Sequence, residues 1–479
     1  MEIKLTDNTL HEFTISKVVQ TIRDVYYQNN PNLLLNNKKW TKDDYNLFKY
    51  LLDISQSINH KLNDEEFIKN NVHLFGNQEY DHNTRDNFLN IIGWNIEDFR
   101  VQTGNLIGFI NKKVNKSSIQ VKISSRFGNE FLIKLISYSD GFLEMPDYGS
   151  VSKNGFSEWI LIYLWKSALR KAFRLGLPKQ YVNKREGLVK VRGIIDINDY
   201  IKRQGREGKY LCHFREHDYN NPVNKLISYV FNRLGTKNNS LILDCFRMGN
   251  AFAEGTNGCL PNFSEALATK KITNPFYTDY NRVIDLSKNI LRKEFGDISS
   301  EENITSAFFF DISMLFEFFI RKVLLRNGFN LLPKDDKRFC ISRGLGKDSD
   351  FHIYPDIIIE NGNSVDVFDV KYKNFDFIKG VNRDDLYQLH TYVGNISNGN
   401  NVKRCGFIYP LKQSTWKDIK DGTEHNVIKN KINIAGNEFE FWVVFFIVPD
   451  MYKDNQDCYK EYEIDFKKNM GKFVDLFKN

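Results

Sequence analysis

The chain has 479 residues, too many for one ordinary domain, so two or three compact units are expected. Hydrophobic residues make up 41% and aromatic residues 14%, which is enough to bury several cores and excludes a disordered protein. The formal net charge of +7 fits a nucleic-acid partner but also many other enzymes, so charge alone assigns no function.

Cysteine usage and hydropathy narrow the class of protein. The six cysteines include no CxxC pair, so neither a zinc site nor a disulfide framework is expected. The apolar run Phe441–Val448 is far shorter than the roughly 20 residues that span a bilayer. The N-terminus also lacks the basic and then apolar layout of a signal peptide. These features predict a cytoplasmic protein with no membrane association.

Two regions are predicted before the last third of the chain. Residues 1–95 are expected to form a helical region of unknown role, with Thr41–Leu52 as an amphipathic helix. Residues 96–300 mix strands with helices and form the second predicted region. In this second region, Gly104–Ile110 and Ile119–Ile123 predict a hairpin around the basic segment Asn111–Ser118.

The second region continues with a predicted helix, Ser157–Leu175, and a predicted strand, Leu188–Ile197. Residues 301–479 form the third region, which opens with a predicted helix over Asn303–Asn327 that Gly328 ends. A hairpin, a helix and further strands follow. The predicted fold class is therefore a multidomain α/β (α+β) protein.

The predicted hairpin of the third region carries the candidate chemistry. Its strands are Tyr354–Glu360 and Val365–Lys373, joined by the turn residues Asn361-Gly362-Asn363. Side chains alternate along a strand, so Asp369 and Lys371 share one face and stand roughly 7 Å apart.

The hairpin register decides whether a second carboxylate, Asp356, reaches that face. A four-residue loop, Asn361–Ser364, places Asp356 directly opposite Asp369. A two-residue loop, Asn361-Gly362, places Asp356 opposite Val367 and diagonal to Asp369. Both registers bring the two carboxylates together, whereas a three-residue loop separates them.

Two carboxylates over a shared ion are the arrangement that Mg²⁺ favours, with waters and phosphate oxygens completing its coordination. The metal would activate a water and stabilise the charge that builds on a phosphate. Lys371 would hold or deprotonate the water and offset phosphate charge. Asp356, Asp369 and Lys371 thus predict Mg²⁺-dependent phosphodiester hydrolysis, although a strand-start aspartate beside a surface Asp–Lys pair would give the same short pattern.

Several motifs in order resemble a known family. Pro355-Asp356 with Asp369-Val370-Lys371 is similar to the PD-(D/E)xK nuclease signature. Asp385–Tyr392 resembles the Gln- and Tyr-bearing helix of the McrC family, the nuclease subunits of modification-dependent (5-methylcytosine) restriction systems. The resemblance covers residues from about 100 to about 450 and includes the segments Leu315–Ile320, Gly104–Ile110, Ile123–Gly128, Val191–Ile197 and Phe214–Asn224.

The resemblance implies a restriction-endonuclease-like core in the third region and an endodeoxyribonuclease that acts in phage defence. It implies that Glu317 joins the catalytic residues, although a glutamate at a helix edge is often only solvated. It also implies that Arg383, Gln388 and Tyr392 contact DNA or organise the site.

The resemblance further implies a partner, a McrB-like AAA+ GTPase whose hexameric ring recognises and translocates double-stranded DNA while this subunit cuts. Consistent with an external motor, Arg343–Ser349 does not fit the phosphate-loop pattern. The resemblance also implies that residues 96–300 serve partner docking and DNA contact. By position, Asn111–Ser118 is the candidate docking element, and an exposed turn kept soluble by lysines is the alternative.

Two other functions fit parts of the sequence. The chain could be an adaptor that binds DNA and activates the NTPase through a non-catalytic nuclease fold, which the intact Asp356, Asp369 and Lys371 set disfavours. It could also be a stand-alone nuclease acting on RNA or branched DNA, which the McrC-like motifs outside the third region disfavour.

Overall fold

The computed structural model describes residues 2–14, 42–62, 72–73, 88–94, 98–114, 117–140, 156–203, 208–237, 242–295, 304–333, 339–341, 351–397, 399, 401–419, 426–450 and 458–478. Contacts divide the chain into two compact units. Unit 1 comprises Met1–Ile110, Ile119–Pro146 and Ala307–Asn479, and unit 2 comprises Asn111–Ser118 and Asp147–Ser306. The units therefore group residues differently from the three consecutive regions predicted above, because the N-terminal strands and the C-terminal core share unit 1.

The strands are β1 (Glu2–Thr6), β2 (Leu10–Thr14), β3 (Val72–His73), β4 (Leu89–Trp94), β5 (Asp98–Thr103), β6 (Leu106–Val114), β7 (Ser117–Ser124), β8 (Gln180–Leu188), β9 (Ile194–Ile195), β10 (Tyr210–Asp218), β11 (Ile304–Asp311), β12 (Asn330–Leu331), β13 (Phe339–Ile341), β14 (Phe351–Ile353), β15 (Ile357–Asn361), β16 (Ser364–Val370), β17 (Val402–Lys412), β18 (Val427–Ile434) and β19 (Asn437–Val448). The α-helices are α1 (Lys42–Lys61), α2 (Asn129–Asp140), α3 (Phe156–Phe173), α4 (Ile197–Arg203), α5 (Pro222–Lys237), α6 (Phe246–Gly255), α7 (Phe263–Leu267), α8 (Tyr280–Phe295), α9 (Ile312–Arg326), α10 (Arg383–Ile396), α11 (Gln413–Ile419) and α12 (Cys458–Lys478).

The described part of residues 1–95 contains strands beside the predicted helix. The predicted amphipathic helix is confirmed as α1, but strands β1 to β4 also lie in the described part of residues 1–95. The segment Glu2–Thr6 alternates polar and apolar residues, and Ile3 and Leu5 are buried. A period of two is a strand pattern, which the prediction overlooked.

The predicted hairpin of the second region is confirmed. Strands β6 and β7 are neighbours in a five-stranded sheet of order β1-β7-β6-β11-β3, with β1 parallel to β7. Residues 115 and 116, at the predicted tip, lie outside the described residues.

Unit 2 contains helices and the three-stranded sheet β8-β10-β9. Helix α3 matches the predicted helix, and its Trp165 indole donates to Ser287 Oγ on α8 at 2.8 Å. The predicted strand Leu188–Ile197 is wrong, since β8 ends at Leu188 and only Ile194–Ile195 form a strand after it. Gly193, at φ +75°, turns the chain where a Cβ would lie 2.3 Å from the His213 carbonyl oxygen.

The C-terminal core of unit 1 is a six-stranded sheet of order β12-β15-β16-β17-β19-β18. Strands β16, β17 and β19 run parallel, while β15 and β18 are antiparallel to their neighbours. Val367 packs with Leu389 and Val393 of α10, and Phe368 packs against Phe477 of α12. The sheet is covered on both faces, which explains its nearly continuous apolar strands.

The predicted helix Asn303–Asn327 is correct only in its second part. Residues Ile304–Asp311 form β11, and α9 begins at Ile312. The Asp311 side chain caps α9 by accepting from the backbone N–H groups of Ser313 at 2.8 Å and Met314 at 3.2 Å. The aromatic and β-branched residues before Asp311 favour a strand, and the cap starts the helix.

The predicted fold class is confirmed, since the chain mixes helices with sheets in more than one unit. Among the helices in the described ranges, none is both long and apolar enough to cross a membrane.

Candidate active site

The β15–β16 hairpin brings the two predicted carboxylates opposite each other. Its register pairs Ile357 with Phe368 and Glu360 with Val365, so the next position outward pairs Asp356 with Asp369. This is the register of the predicted four-residue loop, extended by an Asn361–Ser364 pair that leaves Gly362 and Asn363 in the turn. Gly362, at φ +62°, has the left-handed backbone that this tight turn requires.

Asp356 is held at the start of β15 by two hydrogen bonds. Its Oδ2 accepts from the Val370 backbone N–H at 2.8 Å. Its carbonyl oxygen accepts from Arg321 Nη1, on α9, at 2.6 Å. These contacts fix the carboxylate and the backbone of Asp356 beside the end of β16.

Asp369 is a buried carboxylate with only 1% of its surface exposed. Burial raises the pKa of Asp369 well above its usual range, the Asp356 carboxylate raises it further, and Lys371 opposes both. The buried Asp369 carboxylate thus faces that of the partly exposed Asp356, and a cation between them would reduce the repulsion of the two groups.

Lys371 lies directly after β16, with its ammonium group against Asp369. Nζ is 2.6 Å from Asp369 Oδ2 and 3.7 Å from Asp385 Oδ1. Burial lowers the pKa of Lys371, but Asp369, Asp356 and Asp385 outweigh it, so the net shift is upward. The lysine is therefore held in its charged form.

Helix α10 supplies two of the three residues that were predicted from it. Lys371 Nζ donates to Gln388 Oε1 at 2.7 Å, and Gln388 Nε2 donates to Tyr392 Oη at 2.6 Å. Burial, and then Asp369 and Asp356, raise the pKa of Tyr392, so its hydroxyl stays protonated. Arg383 is not part of this chain of contacts, because its guanidinium contacts the Tyr387 hydroxyl and ring.

Asp385 and Lys373 extend the site and were not predicted as functional residues. Lys373 Nζ lies 2.9 Å from Asp385 Oδ1 and 3.1 Å from Oδ2, and Asp385 is buried. The only sequence signal was that Asp385 precedes Gln388 by one helical turn, which puts both on one face of α10.

Glu317 lies on α9, with 9% of its surface exposed. The charges of Glu317 and Asp356 both act on the guanidinium of Arg321, which also donates to the Asp356 carbonyl. Burial lowers the pKa of Arg321, and these two carboxylates oppose the shift. Arg321 is thus a third residue that sequence reasoning missed.

The donor set fits Mg²⁺ better than a soft metal. Across the described ranges, no three or more His, Cys, Asp or Glu side chains are grouped to hold a metal ion. The candidate ligands are the two carboxylates Asp356 and Asp369, which the hairpin register sets opposite each other. Mg²⁺ is commonly bound through one or two carboxylates, keeping several waters and using substrate phosphates as further ligands.

A known protein family matches most of the chain, including the hairpin and α10. The family model described as "McrBC 5-methylcytosine restriction system component" matches residues 101–410. The chain belongs to this McrBC family. The match contains β15, β16 and α10 with their site residues, and it also contains the segment after β7.

One solved structure has a fold similar to that of this chain at low sequence identity. A structure of Thermococcus gammatolerans McrB AAA+ hexamers with bound McrC is 14% identical over 98% of this chain and 100% of that chain, with a TM-score of 0.51. A second McrBC complex from the same organism is 14% identical over 68% of this chain and 88% of that chain, with a TM-score of 0.32. No curated protein matches the chain.

Proposed function

We propose that this McrBC-family chain is the Mg²⁺-dependent endonuclease subunit of a DNA restriction system, and that its core is of the PD-(D/E)xK type. The observation that carries the proposal is the hairpin register that sets Asp356 opposite Asp369, with Lys371 Nζ 2.6 Å from Asp369. Short sequence patterns of this kind are common. In this chain, however, the register and the ion pair bring Asp356, Asp369 and Lys371 close together.

Asp356 and Asp369 would hold the metal ion. When bound, Mg²⁺ supplies Lewis-acid chemistry, activating a water and stabilising charge on the phosphate. The raised pKa of Asp369 supports this role, because burial and the neighbouring Asp356 carboxylate disfavour its charged form, which a bound metal ion would stabilise.

Lys371 acts as a cation in this proposal. Because its pKa is raised, Lys371 is protonated at neutral pH and is poorly suited to accept a proton from water. The ammonium group instead offsets negative charge on the phosphate and orients the attacking water. Gln388, itself bonded to Tyr392, directs the ammonium group, and Asp385 adds a second carboxylate beside it.

Arg383 and Glu317 have outer roles in the proposal. Arg383 is exposed at the first turn of α10, where it can contact a DNA phosphate. Glu317 acts through Arg321, whose hydrogen bond to the Asp356 carbonyl fixes the start of β15.

The proposed partner is a McrB-like AAA+ GTPase ring, supported by the fold shared with a structure of McrB AAA+ hexamers with bound McrC. Double-stranded DNA is the proposed substrate and the cytoplasm the proposed location. The segment Asn111–Ser118 remains the candidate docking element.

We expect the purified chain to cut DNA at least about 100-fold more slowly alone than with its NTPase partner, because a translocating ring would deliver the substrate to the site. The measurement is plasmid linearisation with Mg²⁺, with and without the partner and nucleotide. EDTA should stop the reaction in every case.

The same assay separates the two alternative functions. Nucleotide-independent digestion of duplex or branched DNA by the chain alone would indicate a stand-alone nuclease. Stimulated nucleotide hydrolysis by the partner with no DNA cleavage would indicate a non-catalytic adaptor.

A further inference from the structure

The proposed catalytic lysine stands where its strand ends. Strand β16 stops at Val370, and the Lys371 backbone N–H still donates to the Ile408 carbonyl at 2.9 Å. The direction of the Lys371 side chain therefore depends on how the chain is held immediately afterwards, at Tyr372.

Tyr372 is held by the turn that follows β7. Arg126 Nη2 donates to the Tyr372 carbonyl at 2.8 Å, and the guanidinium carbon lies 4.8 Å from the centre of the Tyr372 ring. The hydroxyls of Ser125 and Tyr372 are 3.0 Å apart. The Tyr372 ring also packs edge-on against Phe127 and Phe316. Backbone and ring of Tyr372 are thus both fixed.

Arg126 is in turn held by the residues after β1. The Arg126 backbone N–H donates to Asp7 Oδ1 at 2.6 Å, and Nη1 donates to the Asn8 carbonyl at 3.3 Å. The Asp7 N–H donates to the Ser124 carbonyl at 3.0 Å, which continues the parallel pairing of β1 with β7. Asp7 is fully buried, so water cannot take the place of its carboxylate as the acceptor for the Arg126 N–H.

We propose that Asp7, Ser125 and Arg126 form a positioning cluster that holds Lys371 against Asp369 and Gln388 by fixing Tyr372. The inference rests on the proposed function and deepens it, because it assigns Asp7, before the family match begins, a task at the site. These residues touch no substrate and act through Lys371. A misplacement of about 1 Å in a catalytic group can cost about 100-fold in rate.

The test is Arg126→Lys, measured with the full chain, its NTPase partner, DNA and Mg²⁺. A lysine keeps the charge but cannot donate to the Tyr372 and Asn8 carbonyls together, nor stack on the ring. We expect kcat to fall about 10- to 100-fold, with KM for DNA and the Mg²⁺ dependence unchanged. In a Lys371→Ala background the same substitution should cost less than about two-fold, because the cluster acts only through that lysine.

Two further variants guard against a trivial folding effect. Tyr372→Phe removes only the hydroxyl that contacts Ser125, and it should show a smaller rate loss that also disappears without Lys371. Arg404→Lys alters another buried arginine of unit 1, bonded to Asp366 at 2.6 Å, and should lower thermal stability without lowering kcat by more than about two-fold at a temperature where the protein is folded.

A readout independent of cleavage tests the cluster even if the proposed function fails. After reductive ¹³C-methylation, the Lys371 resonance is identified by its loss in Lys371→Ala and compared between the unsubstituted chain and Arg126→Lys. We expect it to move towards the position of exposed lysines. An unchanged resonance, or an equal rate loss in the presence and absence of Lys371, overturns the inference, whereas absence of all cleavage overturns only the proposed function.

Discussion

Asp369→Asn is expected to reduce Mg²⁺-dependent DNA cleavage by at least about 1,000-fold, which corresponds to about 4 kcal/mol of lost transition-state stabilisation. The substitution keeps the shape of a side chain that is 1% exposed and removes one of the two charges proposed to hold the metal. The measurement is the single-turnover cleavage rate with the NTPase partner present.

The fold of this variant should be intact, which separates lost chemistry from lost structure. Asparagine has nearly the shape of aspartate, so its amide should fit the same buried position and leave the thermal midpoint of the metal-free protein close to that of the unsubstituted chain. Asp384→Asn is the matched control, since Asp384 is exposed on α10. This control variant should cut DNA at the normal rate. Normal cutting by Asp369→Asn would overturn the site assignment.

Lys371→Ala is expected to slow cleavage by about 100-fold or more while leaving Mg²⁺ affinity unchanged or slightly raised. The ammonium group lies 2.6 Å from Asp369 Oδ2 and competes with a metal for that carboxylate. Its removal should therefore cost rate without costing affinity. Isothermal titration calorimetry with Mg²⁺, beside single-turnover cleavage, measures the two quantities separately.

The contrast with the carboxylates makes this prediction specific. Asp356→Ala and Asp369→Asn should weaken Mg²⁺ binding along with cleavage. A loss of Mg²⁺ affinity in Lys371→Ala equal to theirs would contradict the proposed role and make Lys371 a scaffold for the ion site.

The sequence was most informative where the relevant contacts are local. Asp356, Asp369 and Lys371 lie on one hairpin, so alternation and loop length restricted their placement to a few registers, and the structure adopts one of them. Gln388 and Tyr392 are one helical turn apart, so a single helix presents both on the same side.

Contacts between distant segments could not be predicted in the same way. Arg126 meets Tyr372 across 246 residues of sequence, and nothing in either segment names the other. Arg321 reaches Asp356 from α9 in the same manner. Such pairs depend on how helices and sheets pack, which periodicity within one element does not specify.

The failures among the predicted elements have local causes. Residues Ile304–Asp311 were predicted as part of a helix because their apolar run continues into α9. Asp311 is instead the N-cap of that helix. An apolar run alone does not distinguish a buried strand from a buried helix, and the cap was the signal that separates them. The predicted strand Leu188–Ile197 is wrong because Gly193 turns the chain inside it.

The central claim is that a metal ion bound between Asp356 and Asp369 carries the cleavage chemistry, and iron-directed cutting of the protein tests it most directly. Fe²⁺ replaces Mg²⁺, ascorbate and peroxide generate radicals at the bound ion, and mass spectrometry locates the breaks in the chain. We expect breaks within a few residues of Asp356 and Asp369, suppressed by excess Mg²⁺ and absent in Asp369→Asn. Breaks elsewhere that Mg²⁺ suppresses, or no Mg²⁺-sensitive breaks at this hairpin, would contradict the claim.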